Sequence, residues 1–137
     1  MSFHAYLFFG GNCREAMTRY REVFGGELEV MGFSDAPPEA RPEGDAAAGV
    51  MHAALKMPDG GVLMASDDPT GGFTGHSGFG VARTADDPEE TRRAFAALAE
   101  GGQVQMPVEA TFWSPAFGML VDAFGVSWML DTNPAED

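Results

Sequence analysis

A pattern of strand, helix, Gly-Gly pair, strand and hairpin occurs twice in this chain of 137 residues. VFGGELEV joins a predicted helix to a strand in the first half, and LAEGGQVQ stands at the same place in the second. MPDGGVLMASD and VDAFGVSWMLD are the two matching hairpins. Few residues are identical between the halves, so the order of elements defines the repeat. A structural period of roughly 70 residues constrains the fold more than any single motif does.

Residue alternation and turn signals predict eight strands and two helices. Asn12 is predicted to cap the first helix with Glu15 as its reciprocal partner. Asp87 followed by Pro88 is a second, more complete helix start. The strands are predicted at residues 3–9, 27–33, 50–57, 62–66, 78–84, 103–109, 117–122 and 126–130.

These elements predict an α+β fold, with one domain over residues 1–137. Its two βαβββ modules span about residues 3–67 and 76–131. One module has too few apolar residues to cover both faces of its sheet. We therefore expect two half-sheets to form an incomplete barrel, with the helices outside and a ligand cavity inside.

The net charge, the cysteine content and the lack of long apolar runs limit the partners and the location that can be expected. The formal net charge of −13 repels phosphate backbones, so no nucleic acid partner is expected, and a cationic ligand would be attracted. Cys13 is the one cysteine, which excludes an intramolecular disulfide and suits a reducing compartment. Neither a signal peptide nor a run of roughly 20 apolar residues is recognisable, so a cytoplasmic protein without membrane contact is predicted.

Four segments carry a family resemblance: YLFFGGNCREAMTRYREVFGGELEV, VMHAALKMPDGGVLMASD, DDPEETRRAFAALAEGGQVQMP and TFWSPAFGMLVDAFGVSWML. They resemble the PhnB-like members of the vicinal oxygen chelate (glyoxalase/bleomycin resistance/dioxygenase) superfamily. The resemblance implies paired βαβββ modules (the glyoxalase/bleomycin resistance fold), a small-molecule ligand and a homodimer. Some PhnB-like proteins carry methyltransferase names, but this sequence has no S-adenosylmethionine signature.

The resemblance also indicates where metal ligands would lie in this sequence. Metal-dependent relatives place His or Glu on inward-facing positions of the first, fourth, fifth and last strands, and Met129 stands where a Glu is expected. We therefore predict no metal and no cofactor. The residues that fall at or near the other positions are Ala5 or His4, His52 or Ala54, and Gly78 with the nearby His76.

The candidate site residues each have a structural alternative. His52 and Asp67 are the catalytic candidates, although His52 is equally a structural histidine and Asp67 a turn cap. Cys13 lies near a helix N-terminus, where the helix dipole lowers a thiol pKa, but a buried thiol is favoured. The predicted ligand-binding residues are His52, Ser66, Asp67, His76, Phe112 and Trp113.

Three functions remain open from the sequence. The first is a PhnB-like protein with a small-molecule cavity but no metal. The second is a metal-dependent lyase, isomerase or dioxygenase that acts on a small oxygenated metabolite. The third is a drug-sequestering binder like the bleomycin-resistance proteins. Whether the chain is an enzyme is left open, as is the identity of its ligand.

Overall fold

The computed structural model describes residues 2–135. It contains two compact units, one ending at Gly75 and the other beginning at His76. Each unit holds a four-stranded sheet and one α-helix in the order βαβββ. The predicted α+β class with two βαβββ modules is therefore confirmed. No helix within the described residues is long and apolar enough to cross a bilayer.

The first module has the strand order β1-β4-β3-β2. Strands β1 and β4 run parallel, while β4–β3 and β3–β2 are antiparallel. Three 3₁₀ turns lie in the predicted long loop between β2 and β3. The bounds are β1 Ala5–Phe9, α1 Cys13–Phe24, β2 Glu27–Gly32, β3 Val50–Lys56 and β4 Val62–Asp67.

The second module repeats this topology with the strand order β5-β8-β7-β6. Strands β5 and β8 are the parallel pair, and the other two pairs are antiparallel. The bounds are β5 Val81–Ala85, α2 Pro88–Ala99, β6 Gln103–Glu109, β7 Phe117–Val121 and β8 Ser127–Thr132.

The core of each module lies between its helix and one face of its sheet. Tyr20 of α1 is fully buried, as are Leu7 and Phe9 of β1. Phe95 of α2 and Trp128 of β8 are likewise buried in the second module. Since successive side chains of a strand point to opposite faces, the residues between the buried ones form a second face of each sheet, called here the open face.

Both helices begin where predicted, but only one has the predicted capping hydrogen bond. The Asp87 carboxylate accepts the backbone N–H of Glu89 at 3.0 Å, and α2 begins at Pro88 as predicted. The Asn12 side chain, by contrast, makes no capping hydrogen bond in the described part of the chain. The start of α1 is capped from β4 instead, by Asp67. A distant carboxylate thus takes the place of a local one.

The fifth strand begins later than predicted. Gly78 has a φ of +78°, a left-handed conformation outside the β region, and β5 starts at Val81. Gly78 therefore lies in the connection before the strand and not in the sheet, which removes it from any metal-ligand position on β5.

Candidate functional site

The open face of the first sheet carries exposed aromatic and methionine side chains. Leu7 and Phe9 of β1 are buried, whereas Tyr6 and Phe8, which alternate with them, are 37% and 55% exposed. Met31 on β2 is 48% exposed. Large apolar side chains scattered singly are normal on a protein surface, but a contiguous set on one sheet marks an interaction site.

His52 lies on this open face and forms a polar pair with Tyr6. The Tyr6 hydroxyl and His52 Nδ1 are 3.2 Å apart, and the ring centroids lie 5.8 Å apart. The ring of Phe8 stands 5.1 Å from that of Tyr6. On the other side, His52 is directly opposite Met31 in the β2–β3 ladder. The predicted inward-facing histidine is thus half-buried within an apolar surface.

Ser66 and Asp67 are consecutive on β4 and point to opposite faces. Ser66 is opposite Phe8, so it shares the open face with His52, and it is buried. Asp67 turns toward α1, where its Oδ1 accepts the backbone N–H groups of Gly11 (2.8 Å) and Cys13 (3.0 Å). Its Oδ2 accepts the N–H of Val50 at 2.9 Å. Both carboxylate oxygens are therefore engaged by the backbone.

A small pocket of about 270 Å³ lies beside Asp67, at the start of α1. The neighbouring Asp68 accepts hydrogen bonds from the hydroxyl and backbone N–H of Thr70, and these hold the pKa of its carboxyl below the usual value. The pocket is lined by Gly10, Gly11, Ala46, Ala48, Gly49, Asp67, Asp68, Pro69 and Gly71.

Cys13 is the first residue of α1 and is fully buried. Burial raises the pKa of its thiol to about 12, and the nearby Asp67 carboxylate adds to the rise. The helix dipole, which lowers a thiol pKa, is outweighed here. We conclude that Cys13 is held as a protonated, unreactive thiol at neutral pH.

Because of this raised pKa, the free energy of unfolding should decrease at alkaline pH. An unfolded thiol loses its proton at about pH 8.5, whereas the folded one keeps it to about pH 12. The folded state then binds more protons in this window, so the free energy of unfolding should decrease by at most about 1.4 kcal/mol per pH unit. Urea titrations from neutral to alkaline pH would measure this slope, which Cys13→Ala should reduce. An identical slope in that variant would contradict the assignment.

The remaining predicted site residues lie in the second unit. The His76 ring is 6.0 Å from that of Phe79 and edge-on to it. Phe112 is 97% exposed, and its ring packs edge-on against Trp113 at 4.8 Å. Trp113 in turn contacts Phe117 of β7 at 5.4 Å. The aromatic pair thus forms an outward surface patch of its own module.

Comparison with known proteins agrees with this architecture. The profile of the glyoxalase/bleomycin resistance protein/dioxygenase superfamily matches residues 2–130. The chain is 33% identical to protein YjdN of Escherichia coli (strain K12), over 96% of this chain and 95% of that protein. The chain belongs to the glyoxalase/bleomycin resistance protein/dioxygenase superfamily. The predicted family is therefore confirmed.

Two solved structures are similar to this chain in both sequence and fold. Protein PA1353 from Pseudomonas aeruginosa has a TM-score of 0.87 and 42% identity, covering 97% of this chain and 98% of that one. A Bacillus cereus PhnB protein, described as a putative 3-demethylubiquinone-9 3-methyltransferase, has a TM-score of 0.75 and 28% identity. It covers 96% of this chain and 99% of its own. Solved structures similar to this chain thus include a PhnB protein, as the predicted PhnB-like resemblance implies.

Within the described residues, the open faces present few donor groups of the kind that a divalent metal ion requires, such as the ion held by metal-dependent relatives. On β1 and β4 they offer Tyr6, Phe8 and Ser66, and on β8 Met129 and Asp131. Hard divalent ions prefer oxygen donors such as carboxylates, and borderline ions such as Zn²⁺ and Ni²⁺ also bind imidazole. No group of three or more His, Cys, Asp or Glu side chains converges within the described residues.

Sequence reasoning missed two residues of this superfamily member. Tyr6 is the partner of His52, but the aromatic run AYLFF indicates only a strand. Asp122 is buried after β7, where Oδ1 accepts the N–H groups of Phe124 and Val126, and Oδ2 accepts the indole N–H of Trp128. The signal available for Asp122 was a lone acidic residue between two apolar strands.

Proposed function

We propose that this chain binds a small organic molecule on the open face of the first sheet, without a divalent metal. The observation that carries the proposal is the Tyr6–His52 hydrogen bond within an exposed apolar surface. Binding sites combine a mainly apolar lining with a few placed polar groups. Tyr6, Phe8 and Met31 supply the lining, while His52 and Ser66 supply the polar groups.

The charge of the chain favours a cationic or neutral aromatic ligand. A formal net charge of −13 attracts cations and disfavours anions at long range. The exposed rings of Tyr6 and Phe8 can stack on a planar group, and aromatic faces also attract cations. This class of ligand is the one expected of a drug-sequestering binder, and it needs no chemistry on the ligand. Asp67 serves the fold in this proposal, because its oxygens already accept three backbone N–H groups.

Replacement of His52 with alanine should weaken such binding about tenfold, since a lost hydrogen bond accounts for roughly 1.5 kcal/mol. The probes are a panel of aromatic amines, aromatic carboxylates and bleomycin, read by thermal shift and then by calorimetry. Tyr6→Phe should give a smaller loss, because the ring remains. His4→Ala is the matched control, since His4 is exposed and bonds only Ser2 in the described hydrogen bonds.

Two outcomes would overturn the proposal. If no compound of the panel shifts the melting temperature, the ligand face itself is rejected. The second outcome is metal binding. To test it, the protein is dialysed after exposure to Zn²⁺, Mn²⁺, Ni²⁺ or Fe²⁺, and the metal that it retains is measured. Near-stoichiometric retention that is lost in His52→Ala would favour the alternative function, a metal-dependent lyase, isomerase or dioxygenase.

A further inference from the structure

Three methionines stand in one row across the second sheet. Met129 of β8 is directly opposite Met119 of β7, and Met119 is directly opposite Met106 of β6. The row ends on β5 at Ala82, which is opposite Met129. Cβ atoms of directly opposite residues in antiparallel strands are about 4.5–5.5 Å apart. Neighbouring thioethers in this row are therefore within reach of one another.

The row lies on the open face of its sheet. Leu120, Trp128 and Leu130 flank Met119 and Met129 along their strands and are buried. Side chains alternate between faces, so the two methionines point away from that buried side. Met129 is 36% exposed, so its side chain is partly accessible from solution.

Met106 joins the row through a change of register. The ladder between β6 and β7 is irregular both before and after Met106. Such bulges interrupt the simple alternation of a strand and redirect a side chain. Met106 is thereby opposite Met119 while remaining 43% exposed.

Thioether sulfur is a soft, polarisable ligand. Soft thiolate and thioether donors select Cu(I), in contrast to the hard divalent ions that require carboxylates. The methionine side chain has three rotatable bonds, so three sulfurs from adjacent strands can adjust around one ion. The net charge of −13 also favours the approach of a monovalent cation.

We propose that Met106, Met119 and Met129 form a binding site for a soft monovalent metal ion, Cu(I) or its analogue Ag(I). The site uses three thioether ligands and the residues of one sheet. It differs in metal, ligands and module from the organic-ligand face proposed above, so either can fail without the other.

The test is a titration of the protein with Ag(I) in chloride-free buffer, followed by NMR of ¹³C-methyl-labelled methionine. We expect the methyl signals of the three row methionines to shift together and to saturate at one equivalent. Met119→Leu, which removes the central ligand, should weaken binding about tenfold or more. Met129→Leu replaces a partly exposed residue and gives a second test should Met119→Leu fail to fold.

Two methionines of the first module provide internal controls. Met17 lies one helical turn after Cys13, so a shift of its signal would report silver at the thiol instead. Met51→Leu removes a half-buried methionine of β3, in the other sheet, and should leave the affinity for Ag(I) unchanged. The proposal is overturned if the row signals do not move at a tenfold excess of Ag(I), or if their shifts persist in both row variants. Cu(I) under anaerobic reducing conditions should then show sulfur ligands by X-ray absorption, and nitrogen or oxygen ligands alone would also overturn it.

Discussion

Replacement of Asp67 with alanine should lower the free energy of unfolding by about 4 kcal/mol. The buried carboxylate accepts three backbone N–H groups, from Gly11, Cys13 and Val50. Each hydrogen bond to a charged group contributes roughly 1.5–3 kcal/mol, and buried donors left without a partner add a desolvation cost. Because these donors come from the start of α1 and the start of β3, one substitution loosens two junctions of the module.

Urea unfolding at neutral pH measures this loss. Asp67→Asn should cost roughly half as much, because one amide oxygen remains but the amide NH₂ faces N–H donors. The matched control is Asp68→Ala, which removes an exposed carboxylate whose described bonds are to Thr70 alone. Equal stability of Asp67→Ala and the wild type would show that water replaces the carboxylate and that the junction does not depend on it.

Gly102→Ala should destabilise the second module by about 3 kcal/mol, the upper range for overpacking. A Cβ at Gly102 would stand 2.2 Å from the backbone oxygen of Val121 and 2.9 Å from backbone atoms of Asp122. Neither atom can swing away as a flexible side chain does, so β6 and β7 would have to separate where they pair. Gly26, at the same place in the first repeat, meets the backbone oxygen of Lys56 at 2.7 Å.

Gly80→Ala is the control for this prediction. Its Cβ would lie 3.5 Å or more from its neighbours, an ordinary van der Waals distance, and its backbone does not have a positive φ. Thermal and urea unfolding of the two variants should therefore differ clearly. Equal free energies of unfolding for Gly102→Ala and Gly80→Ala would contradict the prediction, because they would mean that the two strands can move apart without loss of stability.

The two modules join the helix to the last strand of the sheet through different side-chain contacts. At the end of β4, Asp67 is opposite Phe9 and accepts N–H groups from the helix start. At the end of β8, Thr132 is opposite Ala85, and its hydroxyl contacts that of Thr91 in α2 at 2.6 Å. The local cap of α2 by Asp87 makes a distant carboxylate unnecessary there. Sequence symmetry therefore predicted the elements but not the groups that join them.

The sequence by itself determined the family, the order of the elements and the second helix start. These follow from short-range rules: alternation, Gly-Gly pairs after helices, and a capping Asp before a proline. The Asp59-Gly60 turn likewise joins β3 to β4 as predicted.

Only the tertiary structure decided which side chains meet. Tyr6 and His52 are 46 positions apart, and Asp67 and Cys13 are 54 apart. Alternation states which residues share a face of one strand, but neither which strand lies beside it nor in what register. The parallel pairing of β1 with β4 brings Asp67 to the start of α1, and the irregular register of β6 brings Met106 opposite Met119. The repeat thus predicted two sheets, while strand order and register determined what each open face can bind.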